Sequence, residues 1–202
     1  MNALLVATWL SLPLAPLNPI EEDTLSEMSL HFTAGLANPN GIVTAGPVLS
    51  VNYEMLVIHP FMVRGTVDFK YGRMKSNLFP QGHLWTTMVG GDAIYYRGTN
   101  YLTGYVGFGF VYSFNNFISF DATADSLLIN EGVTDVDIEQ KWGYRLVLGL
   151  RYHKCYSLEV GVVELEPDFK KIGFDTNASE TRSYQTTRTG SFRITLGYLF
   201  EI

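Results

Sequence analysis

Cysteine is almost absent. The single thiol, Cys155, excludes an intrachain disulfide, and one thiol without a neighbouring His and Cys cluster is a poor metal site. Basic residues are also few: 14 Lys and Arg stand against 20 Asp and Glu, for a net charge of −6. With no basic stripe to neutralise phosphates, a nucleic-acid partner is excluded. Charged residues total only 17%, below the roughly 25% of ordinary soluble domains. Helical periodicity is hard to find anywhere. The Leu-rich start, MNALLVATWLSLPLAPLNP, is broken by Pro13, Pro16 and Pro19 before it reaches the roughly 20 residues a spanning helix needs. Residues 1–20 therefore read as a signal-like leader without the usual Lys or Arg, or else as a plug or lid segment. Residues 21–202 read as one domain.

Against those shortages, aromatics reach 14%, 19 glycines are present, and from Ser29 onward side chains alternate with period two, the pattern of β-strands. Eight strands are expected. In the first, Leu30, Phe32, Ala34 and Leu36 share a face opposite His31, Thr33 and Gly35. The third is the clearest: Phe61, Val63, Val67, Phe69 and Tyr71 alternate with Arg64, Thr66, Asp68 and Lys70. Strand four, about 84–96, alternates less cleanly. Strand five sets Leu102, Val106, Phe108, Phe110, Tyr112 and Phe114 on one face. The sixth sets Trp142, Tyr144, Leu146, Leu148, Leu150 and Tyr152 on one face, and the last Phe192, Ile194, Leu196, Tyr198, Phe200 and Ile202. Connections alternate, tight after strands two, four and six and long after three, five and seven. The long ones cover about 115–140 and 167–189. That rhythm is an antiparallel up-and-down β-barrel.

Alternation alone suits a soluble, lipocalin-like ligand-binding barrel with its apolar face inside. Bulk argues for the reverse. An eight-stranded interior is only wide enough to be filled by side chains, and five or six large apolar residues per strand would overpack it. The opposite faces, rich in Gly, Ser and Thr, fit a narrow lumen. Phe61 and Tyr71 lie ten residues apart on one face, as do Trp142 and Tyr152. Ten steps of about 3.3 Å at a tilt of about 40° span roughly 25 Å, the height of the apolar band between aromatic girdles. The polar faces carry both signs: Arg64, Lys70, Arg145, Arg151 and Arg193 against Glu54, Asp68, Glu159 and Glu201. Enclosed charges must pair, because an isolated one costs several kcal/mol. The expectation is a lumen crossed by ion pairs.

The chain ends Thr195 Leu196 Gly197 Tyr198 Leu199 Phe200 Glu201 Ile202. With Gly197, Phe200 and Ile202 at the key positions, this resembles the C-terminal sorting signal of outer-membrane barrels, with Ile in place of the usual final Phe. The chain is thus similar to the small eight-stranded families typified by outer membrane proteins A, X and W, over about Ser29–Ile202. The resemblance implies a place in the bacterial outer membrane, assembly by the barrel machinery, and contact with outer-membrane lipid and lipopolysaccharide.

Site chemistry is sparse. Some barrels of this shape edit lipids with a Ser–His–acid system, yet none of His31, His59, His83 and His153 sits beside a Ser and an acid in sequence. GYVGFGF has the wrong spacing for a nucleotide loop, and no helix follows. Asp135, Asp137 and Glu139 lack the spacing of a calcium loop. Lys170, Lys171, Arg182 and Arg188 are cations of the last loop, open to two readings: contact with lipid phosphates or simple solvation. Cys155 has no activating partner in sequence. No catalytic residue, cofactor or metal is expected. The reading is a non-enzymatic membrane anchor presenting long surface loops to a partner the sequence does not name, with a narrow channel or porter for small or hydrophobic solutes as the alternative.

Overall fold

The computed structural model describes residues 28–39, 44–73, 82–99, 101–120, 133–138, 140–165, 169–173, 182–184 and 191–202. The leader, residues 1–20, and the sequence positions Glu139 and Arg188 lie outside them. Eleven strands are present among the described residues: β1 (Met28–Pro39), β2 (Gly46–Ile58), β3 (Phe61–Arg73), β4 (Gly82–Gly98), β5 (Leu102–Phe120), β6 (Val133–Ile138), β7 (Trp142–Tyr152), β8 (Tyr156–Glu164), β9 (Phe169–Gly173), β10 (Arg182–Tyr184) and β11 (Ser191–Glu201).

Eight of these close an antiparallel barrel in the order β1-β11-β8-β7-β5-β4-β3-β2. The first and last strands seal it, with eleven registered pairs from Ser29↔Glu201 to Pro39↔Ser191. At one end the connections are tight. The chain reverses at His59 and Pro60, and again over His153–Cys155, where His153 (φ 50°) and Lys154 (φ 59°) hold consecutive left-handed conformations. Paired positive φ values match the twist of the strands that such a turn joins. The opposite end carries the long connections.

Two expectations are corrected here. The segments 115–140 and 167–189 are not irregular throughout: β6, β9 and β10 form a separate three-stranded sheet in the order β10-β9-β6. Strand five also runs on to Phe120 instead of stopping at Phe114. The β4–β5 register shifts between Thr87↔Asn115 and Met88↔Ser113, leaving Phe114 as the extra residue of a bulge. One inserted residue puts everything beyond it out of phase, so the alternation breaks where the strand does not.

The polarity of the barrel is inverted. Arg64, Asp68, Arg145, Glu54, Glu159 and His31 are each at most 1% exposed, while Leu196, Trp142, Leu148 and Phe110 are each more than half exposed. The core is the lumen.

Candidate functional site

The lumen is built from the inward rows of every barrel strand, and its charges fall into two groups. Near the short-turn end, Glu54 on β2 accepts from Arg64 on β3 at 2.8 Å and from Arg151 on β7 at 2.5 Å. Arg64 reaches Glu159 on β8 at 2.8 Å, and Tyr105 donates its hydroxyl to the same carboxylate at 2.5 Å. The Tyr105 ring lies beneath both guanidinium groups, 5.4 Å from Arg64 Cζ and 4.9 Å from Arg151 Cζ. A Cβ on Gly149 would stand 2.1 Å from that ring, so only glycine lets Tyr105 cross the lumen there.

The second group lies toward the long-loop end. Arg145 forks onto Asp92, its Nε donating to Oδ1 at 2.9 Å and its Nη2 to Oδ2. It also donates to Asp68 at 3.1 Å and to Thr66 at 2.6 Å. Arg193 donates to the same Asp68 oxygen at 3.0 Å. Each group is neutral by itself: Arg64 and Arg151 balance Glu54 and Glu159, and Arg145 and Arg193 balance Asp68 and Asp92. A polar bridge joins them, with Thr66 donating to Asn52 at 2.8 Å and Asn52 to the His31 carbonyl at 3.0 Å.

Apolar rungs bound the charges on both sides. Met62, Ile94, Tyr96, Tyr105 and Val147 pack together with Leu56, and Met88, Val111, Val163 and Leu165 form a second cluster toward the long loops. Charges held between water-excluding layers interact strongly, which rewards full pairing and penalises its loss.

Of the nine residues expected to form the ion-pair network, seven stand in these groups. Two do not. Glu201 occupies a lumen row but lies at the open short-turn rim and is exposed. Lys70 is half-buried in its inward row, and no carboxylate among the described residues lies within ion-pair distance of it. Glu201 meets water at the rim and needs no partner, whereas Lys70 stands two residues from Asp68 in the same inward row of β3 and feels both that carboxylate and Arg193 without touching either. Asp92 was missed because strand four is apolar on both faces: Leu84, Met88, Ile94 and Tyr96 are buried inside, while Val89 and Tyr95 face out.

His31 was also missed. Its Nε2 lies 2.6 Å from Ser157 Oγ, and its Nδ1 lies 3.3 Å from Glu54 and 3.8 Å from Glu159. A Cβ on Gly197 would come 2.4 Å from His31 Nε2 and 2.5 Å from Ser157 Oγ, so glycine at this position makes the room for this contact. The atoms are those of a nucleophile system. They are sealed inside: His31 is 0% and Ser157 5% exposed. No sequence signal could have joined residues 126 positions apart.

The outer face is as uniform as the lumen is charged. Among the described residues of its outward rows, Arg, Lys, Asp and Glu occur only at strand ends: Arg73 and Glu164 at the long-loop rim and Arg97 at the short-turn rim. Phe61 and Tyr152 lie at the short-turn end, Tyr71 and Trp142 at the other, with Tyr71 packed 4.6 Å from Trp85 and Trp142 4.9 Å from Tyr112. Phe200 faces out beside Phe32, and Ile202 donates its backbone N–H to the Met28 carbonyl at 3.2 Å. Asp135 and Asp137 fall on β6, Lys170 and Lys171 on β9, and Arg182 on β10. His59 and His153 sit at the tight turns against Tyr96 and Tyr101. Cys155 is free.

Inverted polarity, a closed eight-stranded barrel and aromatic belts define a small transmembrane β-barrel of the bacterial outer-membrane type. No sequence family matches the chain, and no curated protein does. Solved structures do. The outer membrane protein OprG from Pseudomonas aeruginosa is 15% identical, with 88% of this chain and 98% of OprG covered at a TM-score of 0.61. The outer membrane protein AlkL, determined in lipid bilayers, is 14% identical over 93% of this chain and 97% of its own at 0.52. At such identities the likeness is one of fold.

Proposed function

We propose that the protein serves in a bacterial outer membrane as a closed, non-enzymatic barrel that anchors and presents its long-loop end, including the β10-β9-β6 sheet, to the outside. The observation that carries this reading is the filled lumen. Four arginines and four carboxylates, each at most 4% exposed, bridge the interior between two apolar clusters, and a water-filled path would have to unpair them at several kcal/mol per ion. A narrow channel or porter requires an opening that this packing opposes. Burial also opposes enzyme chemistry at Ser157: a nucleophile must meet its substrate, and His31 and Ser157 meet only each other and the lumen charges. Assembly by the barrel machinery and contact with lipopolysaccharide belong to the same proposal.

Two measurements test it together. In planar bilayers the purified protein gives no sustained conductance, and a steady open state overturns the closed-barrel reading. An epitope inserted within residues 121–132 is recognised by antibody on intact cells, whereas one inserted at His153–Cys155 is recognised only after lysis. The opposite pattern overturns the presentation.

A further inference from the structure

The charges of the lumen leave one cation over. Among the described residues, its enclosed rows carry Arg64, Lys70, Arg145, Arg151 and Arg193 against Glu54, Asp68, Asp92 and Glu159. The two self-neutral groups use every one of these except Lys70, which stands half-buried on the long-loop side, between Val48 and Thr86 in register. A charge so placed costs free energy unless an opposite charge or water meets it. Lys70 is also close enough to Arg193 for the two cations to repel. Two buried donors nearby are unused. Arg193 Nε and Thr195 Oγ1 have no hydrogen-bond partner among the described residues, and the two residues are 3% and 1% exposed. Buried donors left so are rare enough to call for an explanation. Register sets Thr195, Gly35, Val48 and Lys70 on one rung across β11, β1, β2 and β3, and Gly35 puts no side chain into the lumen between them. Ser50 Oγ and Asp68 Oδ1, unpartnered as well, lie opposite each other in the β2–β3 register and within reach of one another. Toward the long loops the next inward positions of these strands are small: Ala37, Gly46 and Gly72. The apolar cluster of Met88, Val111 and Val163 stands on the other wall, on β4, β5 and β8.

We propose that Lys70, Arg193 and Thr195 bind a small monovalent inorganic anion, of the chloride class, that enters the lumen from the long-loop end and stops there. The inference needs only the charged lumen and is independent of what the loops present. Charge selects the valence. One negative charge neutralises this half of the lumen, whereas two would set an excess beside Asp68 and Asp92. The donors fit an anion and nothing else: an ammonium and a guanidinium N–H have no lone pair to offer a cation. Burial selects the size. Arg193 is packed down on β8, where a Cβ on Gly161 would stand 3.0 Å from its Nε, and a branched oxyanion would bring further oxygens toward Asp68. An anion between Lys70 and Arg193 turns their repulsion into two attractions, which in a site shut off from bulk water are stronger than at the surface.

The test uses the full chain, folded in detergent and crystallised with bromide, which substitutes for chloride and is located by its anomalous scattering. Wild type is expected to hold bromide in contact with Lys70 Nζ, and K70M to hold none there. Bromide only at other places, or none, overturns the site. In solution, the melting temperature of wild type rises as chloride replaces gluconate at constant ionic strength, as it does for a ligand that binds the folded state alone. K70M loses that rise, T195V reduces it, and E201Q at the opposite rim keeps it. Equal melting in chloride and gluconate overturns the proposal, even with bromide in the crystal, since that combination marks binding at crystal concentration only. An unchanged rise in K70M overturns it as well. If K70M fails to fold, T195V decides: its chloride dependence falls if the site exists, and a dependence equal to that of wild type refutes it.

Discussion

At the residue scale, the lumen sorts charges by what surrounds them. Glu54 holds two arginines at once and stands beside Ser29 and His31. Glu54→Gln would leave Arg64 and Arg151 buried with one carboxylate, Glu159, to share. Breaking a buried pair from one side costs about 3–5 kcal/mol, and E54Q is expected to lose that much in urea unfolding from vesicles. E201Q should fall within about 0.5 kcal/mol of wild type, as substitutions at solvated positions do. Equal effects at the two would show that the lumen charges are solvated alike. The same contrast explains what could be read in advance. Alternation showed which charges face inward. It did not show that Glu201 sits where the lumen opens, because height along a strand depends on where the strand meets the rim. Asp92 was hidden for the opposite reason: its neighbours on β4 are apolar on both faces, so no polar row marked it. The His31–Ser157 contact joins the first and seventh strands of the chain's path around the barrel, and only closure brings them together.

At the scale of elements, the strands that could be read are those with one greasy and one polar face. β3, β7 and β11 alternate without interruption, and their limits lie close to those expected. β5 alternates only as far as its bulge at Phe114. Short strands fare worse: β9 is FKKIG and β10 is RSY, too few residues for a period to declare itself, and β6, VTDVDI, looks like an acidic loop. Facing can be tested on β7, where Leu148 lies mid-strand and 54% exposed while Trp142 ends the strand at the rim. On a lipid face, an arginine costs about 2–4 kcal/mol at the midplane and about 0–1 near the interface. L148R is therefore expected to destabilise the folded barrel in vesicles by several times more than W142R. If the face met water, L148R would be close to neutral, so matching unfolding midpoints for the two variants would refute the lipid assignment.

At the scale of the whole molecule, two facts belong together: the barrel has no open edge, and its interior is denser in charge than its exterior. Closure satisfies every strand's backbone groups, as a bilayer demands of any sheet that spans it. Paired charges inside then do for this protein what an apolar core does for a soluble one, and they are kept from water by apolar rungs above and below. Such a barrel resists mild detergent until heated. Unboiled, the 22.7 kDa chain should run ahead of its boiled form on a detergent gel after recovery from outer membranes, because the intact barrel is compact and binds less detergent. The boiled form should run at the position of the unfolded chain. Removing one lumen group whole, by replacing Asp92, Asp68, Arg145 and Arg193 with apolar residues of similar volume, should preserve the fast-migrating form, since neutral groups exchanged entire leave no orphaned ion. Replacing the two aspartates alone should lower the temperature at which that form disappears. If both variants lost it at the same temperature, the lumen would be held by shape and not by charge, and the division into two self-neutral groups would carry no energetic meaning.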